Sequence, residues 1–151
     1  MQLQLTKLFL HMTNIVTTEW KRDMVFESDN PSKYKISIDS DKEFGGTNSG
    51  LRPKALMLSS LAGCSGLDVV SLLNKMKVEI DDFKIVTTGE LTDEHPKYYH
   101  KVKVDYHFYG KELNEKKIEK AVNLSIDKYC GVFEMFRQFA KMETEIHLHK
   151  K

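Results

Sequence analysis

The amino-acid sequence predicts an α+β fold in which antiparallel sheets surround a long, central apolar helix. Segments that alternate apolar with polar residues lie on both sides of the helical region, and such alternation is typical of half-buried strands. Between them, residues 55–74 carry a single charged side chain, Asp68, which indicates a helix that is buried on most sides. The chain has 151 residues, of which 40% are hydrophobic, so residues 13–151 are predicted to form one domain without the help of disulfides.

The N-terminal half is predicted to begin with an antiparallel meander over residues 13–38. β-Branched residues at 15–18 and an alternating segment at 34–38 flank the turn sequence DNPS at 29–32. A glycine-rich loop at 44–50 lacks the lysine of a phosphate-binding loop and is expected to border a pocket over Cys64. Residues 1–12 precede this pattern and are interpreted as a possible N-terminal extension.

The central helix is expected to begin near Arg52, because Pro53 is favoured in the first turn of a helix. Gly63 and Gly66 flank Cys64 within it. Each glycine weakens a helix by about 1 kcal/mol relative to alanine. Such a cost usually accompanies the close approach of another backbone, which we therefore expect beside Cys64.

The C-terminal half is predicted to form a sheet with one solvated face and two further helices. Strands are expected at 84–91 and 98–109, joined by the turn sequence TDEHP at 92–96. Asn114 is a favoured cap for a helix that runs to about residue 128. A shorter helix at 132–140, with Phe133, Phe136 and Phe139 directed inward, precedes a last strand at 144–149.

The charge balance disfavours several classes of partner. The 23 basic and 22 acidic side chains are spread along the chain, so neither nucleic acid nor an anionic membrane surface is an expected partner. The apolar stretch at residues 8–10 is too short for a signal peptide, and no run is expected to reach the roughly 18 uncharged apolar residues of a membrane span. We therefore expect a cytoplasmic protein whose thiols stay reduced.

Cys64 and Cys130 are the candidate reactive residues. Two buried thiols are either inert small hydrophobic residues or, if the fold brings them together, a redox pair. Cys130 precedes a short helix whose N-terminus favours a thiolate, so local electrostatics predict that it is the more acidic thiol. Asp68 follows Cys64 by one helical turn and either disfavours the Cys64 thiolate or positions a cation beside it.

Other candidate sites have simpler interpretations. His147 and His149 share a face of the last strand, but no third metal ligand is evident, so solvated strand residues are the preferred interpretation. Glu134 follows Cys130 by four residues and is interpreted as a surface charge. No histidine has a spacing that ties it to Cys64, which disfavours cysteine hydrolase chemistry.

Four sequence blocks occur in an order that resembles the OsmC/Ohr family. They are residues 53–64 (PKALMLSSLAGC), 68–70 (DVV), 94–96 (EHP) and 128–130 (KYC). The resemblance covers about residues 13–149 and is strongest to the OsmC-like branch with Cys-Ser-x-x-Asp-Val-Val. It implies an intertwined homodimer whose long apolar helices pack together at the centre, which agrees with a helix too apolar for one small sheet to cover.

The resemblance also implies an activity. Family members reduce organic hydroperoxides with a peroxidatic cysteine that matches Cys64 and a resolving cysteine that matches Cys130, and a cellular dithiol resets the disulfide. In these roles Cys64 attacks first, whereas local electrostatics predict that Cys130 is the more acidic thiol. No cofactor or metal is expected, and we expect Asp68 and Phe133 to contact the substrate.

The sequence departs from the family at Lys54, where the peroxidases have a glutamate that helps to hold an arginine against the thiolate. Arg22 is our candidate for the cation that activates Cys64. The change leaves a second hypothesis open, a non-catalytic dimeric protein that binds small molecules or senses redox state.

Overall fold

The computed structural model describes residues 13–151. Its internal contacts divide the chain into an N-terminal unit that ends at Leu56 and a C-terminal unit from Met57 to Lys151. The possible extension at 1–12 lies outside the described residues.

The N-terminal unit contains the predicted antiparallel meander. Its strands are β1 (Thr18–Arg22), β2 (Val25–Ser28) and β3 (Ile36–Ile38), which pair in the order β1-β2-β3. Both pairings are antiparallel, as expected, although β1 begins at Thr18 and not at Ile15. Arg22 and Asp23 adopt φ values of 102° and 49° in the tight connection between β1 and β2.

Asp39, just after β3, organises the glycine-rich loop. This buried carboxylate accepts hydrogen bonds from the backbone N–H groups of Ser40, Thr47 and Ser49 and from the hydroxyls of Thr47 and Ser49. The Ser49 N–H and the Thr47 hydroxyl hold the pKa of Asp39 well below its usual range. The loop is so tight that a Cβ atom on Gly46 would overlap the Ser40 carbonyl.

Helix α1 (Pro53–Lys75) begins next to Arg52, as predicted. Its buried residues recur every fourth position, at Leu61, Ser65, Val69 and Leu73. The opposite side is open in the single chain, where Leu67 is 77% exposed. One stripe of α1 is therefore buried within the single chain, as expected of a helix too apolar for one small sheet to cover, and burial of its other sides by a second copy stays a prediction.

Two further expectations concern the length and the glycines of α1. By length and composition alone this helix could cross a membrane, but the charged Asp68 lies within it, so no run of 18 uncharged apolar residues occurs, as expected. Core helices of soluble proteins and signal sequences pass the same test, so the length and composition of α1 do not by themselves indicate a membrane span. The glycines also meet no other backbone in this chain, since a Cβ on Gly63 would have nothing within 4 Å and one on Gly66 would contact only the Ile85 side chain.

The C-terminal sheet consists of β4 (Asp82–Leu91), β5 (Tyr99–Gly110) and β6 (Lys141–Lys150). Strands β4 and β5 form the predicted antiparallel pair, but β6 runs parallel to β5. The expectation of purely antiparallel sheets is therefore wrong. The reason is the connection, because the helical segment between β5 and β6 carries the chain back to the end of the sheet where β5 began.

Two helices lie in that connection. Helix α2 (Glu115–Leu124) is capped by the Asn114 side chain, which accepts a hydrogen bond from the Lys117 N–H at 3.1 Å. It continues as a π-helical turn over Ser125–Tyr129, and α3 (Gly131–Arg137) follows. Helix α3 is shorter than predicted, so Phe139 lies beyond its end and is 39% exposed.

The core of the C-terminal unit lies between the helices and the inner face of the sheet. Alternate β5 residues enter it, as the sequence pattern predicted, and the intervening ones stay on the solvated face. The buried set from β5 is Val102, Val104, Tyr106 and Phe108, and α2 adds Ile118, Ala121 and Val122.

Candidate functional site

The two cysteines meet inside the C-terminal unit. Cys64 lies on α1, Cys130 lies at the start of α3, and both are free thiols. Their sulfur atoms and a carboxylate oxygen of Asp68 all lie within 4.8 Å of one another. Cys130 is only 3% exposed, whereas Cys64 is half-buried. The fold thus places two thiols and a carboxylate in one cluster with access from the Cys64 side.

The π-helical turn and α3 together fix the Cys130 thiol. The Cys130 N–H donates to the Ser125 carbonyl at 2.8 Å, which closes the turn. The Cys130 sulfur accepts the Phe133 N–H at 3.3 Å and so acts as the cap of α3. These two hydrogen bonds fix the backbone and the sulfur of Cys130, and so orient its thiol.

The protonation of Cys130 differs from the sequence-based expectation. Burial raises the pKa of the Cys130 thiol to about 12, and the Phe133 N–H only partly opposes this. The neighbouring Cys64 sulfur and the Asp68 charge raise it further. The expected thiolate character of Cys130 is therefore not observed, because removal from water outweighs the start of a short helix and raises its pKa.

A fully buried chain of hydroxyl groups leads to this cluster. The Tyr106 hydroxyl lies 2.7 Å from the Ser65 Oγ, which lies 2.9 Å from the Ser125 Oγ. The Ser125 hydroxyl lies 3.4 Å from Oδ2 of Asp68. If each hydroxyl donates to the next, the chain ends on the carboxylate. Burial raises the pKa of Tyr106 to about 12, so the phenol stays neutral and available as a donor.

The sequence analysis did not identify these three hydroxyl residues. Ser65 directly follows Cys64, which was a usable signal. Tyr106 and Ser125 gave none, since Tyr106 sits among apolar strand residues and Ser125 lies in an ordinary amphipathic helix. Their proximity depends on how α1, α2 and β5 pack.

The remaining predicted site residues occupy different surroundings. The Phe133 ring is 2% exposed and packs under the Arg137 guanidinium, so it is the backbone N–H of Phe133 that reaches the site. Arg22 lies in the N-terminal unit at the end of β1, with its guanidinium 5.0 Å from the centre of the Trp20 ring. Its role as partner of the thiolate stays a prediction, as does substrate contact by Asp68 and Phe133.

The other two arginines bind carboxylates near them in sequence. Arg52 contacts Asp41 and the Asn48 side chain. Arg137 pairs with Asp127 at 3.1 Å and with Glu134 at 3.2 Å. The pairing of Glu134 on the exposed face of α3 supports its interpretation as a surface charge.

The solvated face of the C-terminal sheet carries the histidines considered as metal ligands. His147 Nε2 lies 2.7 Å from Oδ1 of Asp105, and the Glu145 carboxylate is close to both. The Lys103 ammonium lies 3.0 Å from Asp105 and 2.6 Å from Glu145, and so offsets part of the negative charge of these carboxylates. The expectation that no third ligand accompanies His147 is therefore wrong, because Asp105 and Glu145 supply two further ligand atoms. The ion pairs with Lys103 nevertheless favour an ion-pair network at this place.

Comparison with known proteins identifies a family and a bacterial relative. The family model described as OsmC-like protein matches residues 46–145. The protein YhfA of Escherichia coli K12 is 29% identical over 117 residues, which cover 76% of this chain and 82% of YhfA.

Solved structures share the fold over nearly the whole chain. A hypothetical protein from Aquifex aeolicus VF5 superposes with a TM-score of 0.80 at 29% identity, covering 92% of this chain and 98% of that one. An organic hydroperoxide resistance protein OsmC from Legionella pneumophila has a TM-score of 0.67 at 18% identity and covers 89% and 96% of the two chains. At that identity the second likeness shows the fold alone.

Proposed function

The chain belongs to the OsmC-like protein family, and from that premise we propose that it is a thiol-dependent peroxidase that reduces organic hydroperoxides. One observation carries the proposal: the Cys64 and Cys130 sulfurs lie within 4.8 Å of each other, and Cys64 is only partly buried. A disulfide needs a sulfur separation of about 2.05 Å, which side-chain rotation and a small backbone shift bring within reach.

The proposed cycle has three steps. The Cys64 thiolate attacks the outer oxygen of the hydroperoxide, and the O–O bond breaks. Cys64 becomes a sulfenic acid, and the alkoxide leaves as the alcohol with the proton that the Cys64 thiol gave up when it ionised. The Cys130 sulfur then attacks the Cys64 sulfur, and the sulfenic hydroxyl leaves as water with the Cys130 proton. A cellular dithiol reduces the Cys64–Cys130 disulfide by exchange and is itself oxidised to a disulfide.

The surroundings of the two thiols favour this division of roles. Cys64 is the thiol that solvent and substrate can reach, whereas Cys130 is buried and its high pKa keeps it protonated until it is needed. A carboxylate oxygen of Asp68 lies within 4.8 Å of both sulfurs, and we assign to it the relay of the Cys130 proton to the departing hydroxyl in the second step. Arg22 is the cation we propose for stabilising the Cys64 thiolate.

We propose that the protein works as a homodimer in the cytoplasm. The open side of α1 exposes Met57, Leu67 and Val70, and a second copy of the helix would cover it. The cytoplasm supplies the dithiols that the third step consumes.

A non-catalytic binding or redox-sensing protein is the second candidate, and Lys54 is the observation that favours it. Lys54 stands in the first turn of α1, where the resemblance places a carboxylate that supports the arginine. If only this support is impaired, Lys54→Glu should raise the rate of hydroperoxide reduction. A variant that folds as the wild type does but shows no gain favours the second candidate.

The proposal is tested by mass spectrometry of the reduced protein after about one equivalent of cumene hydroperoxide. We expect a Cys64–Cys130 disulfide within seconds, and a Cys130→Ser variant that stops at the Cys64 sulfenic acid. Cys64→Ser serves as the control and should leave Cys130 reduced. Thiols that persist in the wild type while the peroxide remains would refute a peroxidase function.

A further inference from the structure

We propose that Cys64, Asp68 and Cys130 form a binding site for a thiophilic divalent cation, with Zn²⁺ as its physiological ligand, that holds the reduced thiols in a protected state. This inference rests on the same sulfur pair as the proposed function, but it needs no peroxide chemistry. It adds a second state to the site, in which the metal replaces the disulfide.

The ligand types and spacing suit zinc. Two sulfurs and one carboxylate oxygen lie within 4.8 Å of one another. Tetrahedral zinc has Zn–S bonds of about 2.3 Å, which place two sulfurs about 3.8 Å apart. The two sulfurs would thus move together by at most about 1 Å, a shift that rotation of the Cys64 side chain can supply. Thiolate ligands select Zn²⁺ over the harder Mg²⁺ and Ca²⁺.

Contacts to the ligand atoms are in place before any metal arrives. The Ser125 hydroxyl lies 3.4 Å from Oδ2 of Asp68, and the Phe133 N–H donates to the Cys130 sulfur at 3.3 Å. The Ser125 contact is long for an O–H···O bond, so the orienting bond is the one from the Phe133 N–H to the Cys130 sulfur. Hydrogen bonds to ligand atoms typically raise metal affinity 10-fold to 100-fold, because they fix the ligand orientation. They distinguish the cluster from two thiols that are merely close.

The site also has a route for the ion and a free coordination position. Cys64 and Asp68 are half-buried, whereas Cys130 is buried. Three protein ligands leave the fourth tetrahedral position to a water molecule on the open side. In the Asp105–Glu145–His147 cluster, by contrast, the Lys103 ammonium pairs with both carboxylates and occupies the place that a cation would take.

Binding changes no oxidation state. Zn²⁺ displaces the protons of two thiols, and these two protons are released to solvent. The sulfur electron pairs that bind the metal are the ones that would attack a hydroperoxide or form the disulfide, so the metal-bound and disulfide states exclude each other. A zinc-loaded protein should therefore resist oxidation until the metal is removed.

The test uses the reduced, full-length chain and Co²⁺ as a spectroscopic substitute, followed by competition with Zn²⁺. We expect one Co²⁺ per chain, with tetrahedral visible bands and a sulfur-to-metal charge-transfer band in the near ultraviolet. Cys64→Ser should lose most of the charge-transfer intensity, and Asp68→Asn should weaken Zn²⁺ binding at least tenfold. The matched control, His147→Ala, should bind as the wild type does.

Two results would overturn the inference: the absence of a charge-transfer band in the wild type, or binding that Asp68→Asn leaves intact and His147→Ala abolishes. Circular dichroism of each variant separates lost binding from lost folding. Oxidation of the two thiols by peroxide is measured in the presence of a chelator, so that bound metal does not affect the test of the peroxidase proposal. A disulfide that forms in a protein without metal affinity refutes only this inference, whereas metal binding without peroxide reactivity refutes only the peroxidase.

Discussion

Removing the Ser125 hydroxyl tests whether the buried chain of hydroxyls stabilises the thiol site. In the Ser125→Ala variant, contacts to the Ser65 Oγ at 2.9 Å, the Ser65 carbonyl at 3.3 Å and Asp68 Oδ2 at 3.4 Å are lost. Only the first of these is short, and Ser65 keeps its bond to Tyr106. Half-buried Asp68 can bind water in place of the hydroxyl.

We therefore expect Ser125→Ala to lower the free energy of unfolding by about 2 kcal/mol, within the range of about 1–3 kcal/mol for groups left unsatisfied in the interior. Alanine is also the better helix former by a few tenths of a kcal/mol, which slightly reduces the loss. At a urea dependence of about 2 kcal/mol per M, the unfolding midpoint should fall by about 1 M.

The assay is urea unfolding followed by circular dichroism, at one protein concentration for all variants because association would shift the midpoint. Asn123→Ala is the matched control, since Asn123 is exposed on the same helix and its replacement brings a similar gain in helix propensity. A loss below about 0.5 kcal/mol for Ser125→Ala relative to that control would show that the buried hydroxyls contribute nothing specific.

Two further predictions concern protonation. In the folded, reduced protein at pH 8, iodoacetamide should modify Cys64 at least tenfold faster than Cys130, because Cys130 is buried and its pKa is about 12; equal rates by peptide mass spectrometry would contradict this. The N-terminal unit should lose stability as the pH falls below about 4, the unfolded pKa of an aspartate, because the folded state holds the pKa of Asp39 below that value. Asp39→Asn should lower the thermal midpoint of unfolding at pH 7 and remove part of this pH dependence. Unfolding of this unit is followed by the fluorescence of Trp20, the single tryptophan of the chain. A pH profile unchanged by the substitution would show that the Asp39 carboxylate does not cause the loss of stability at low pH.

The sequence determined the elements whose signals are local. Alternation along residues 98–109 predicted β5 and its buried face, and Asn114 predicted the start of α2. Pro53 likewise predicted the start of α1. Each signal depends on backbone geometry and solvent contact within a few residues, so it can be read without knowing the rest of the fold.

The resemblance, and not the spacing of the cysteines, predicted that Cys64 and Cys130 form a pair. Between them lie two strands and a helix, whose packing no local pattern specifies. The parallel direction of β6 was missed for a related reason, because strand direction follows from the path of the connecting helices. Asp39 was missed because its partners lie in an irregular loop.

What only the tertiary structure decided is the environment of the site. The sequence placed Cys130 before a helix and so suggested an acidic thiol, but packing removes that thiol from water and raises its pKa to about 12. Packing likewise placed Ser65, Ser125 and Tyr106 in one hydrogen-bonded chain. Residue types and helical positions are properties of the sequence, whereas desolvation and the distances between elements exist only once the chain has folded, and these set the chemistry of a thiol.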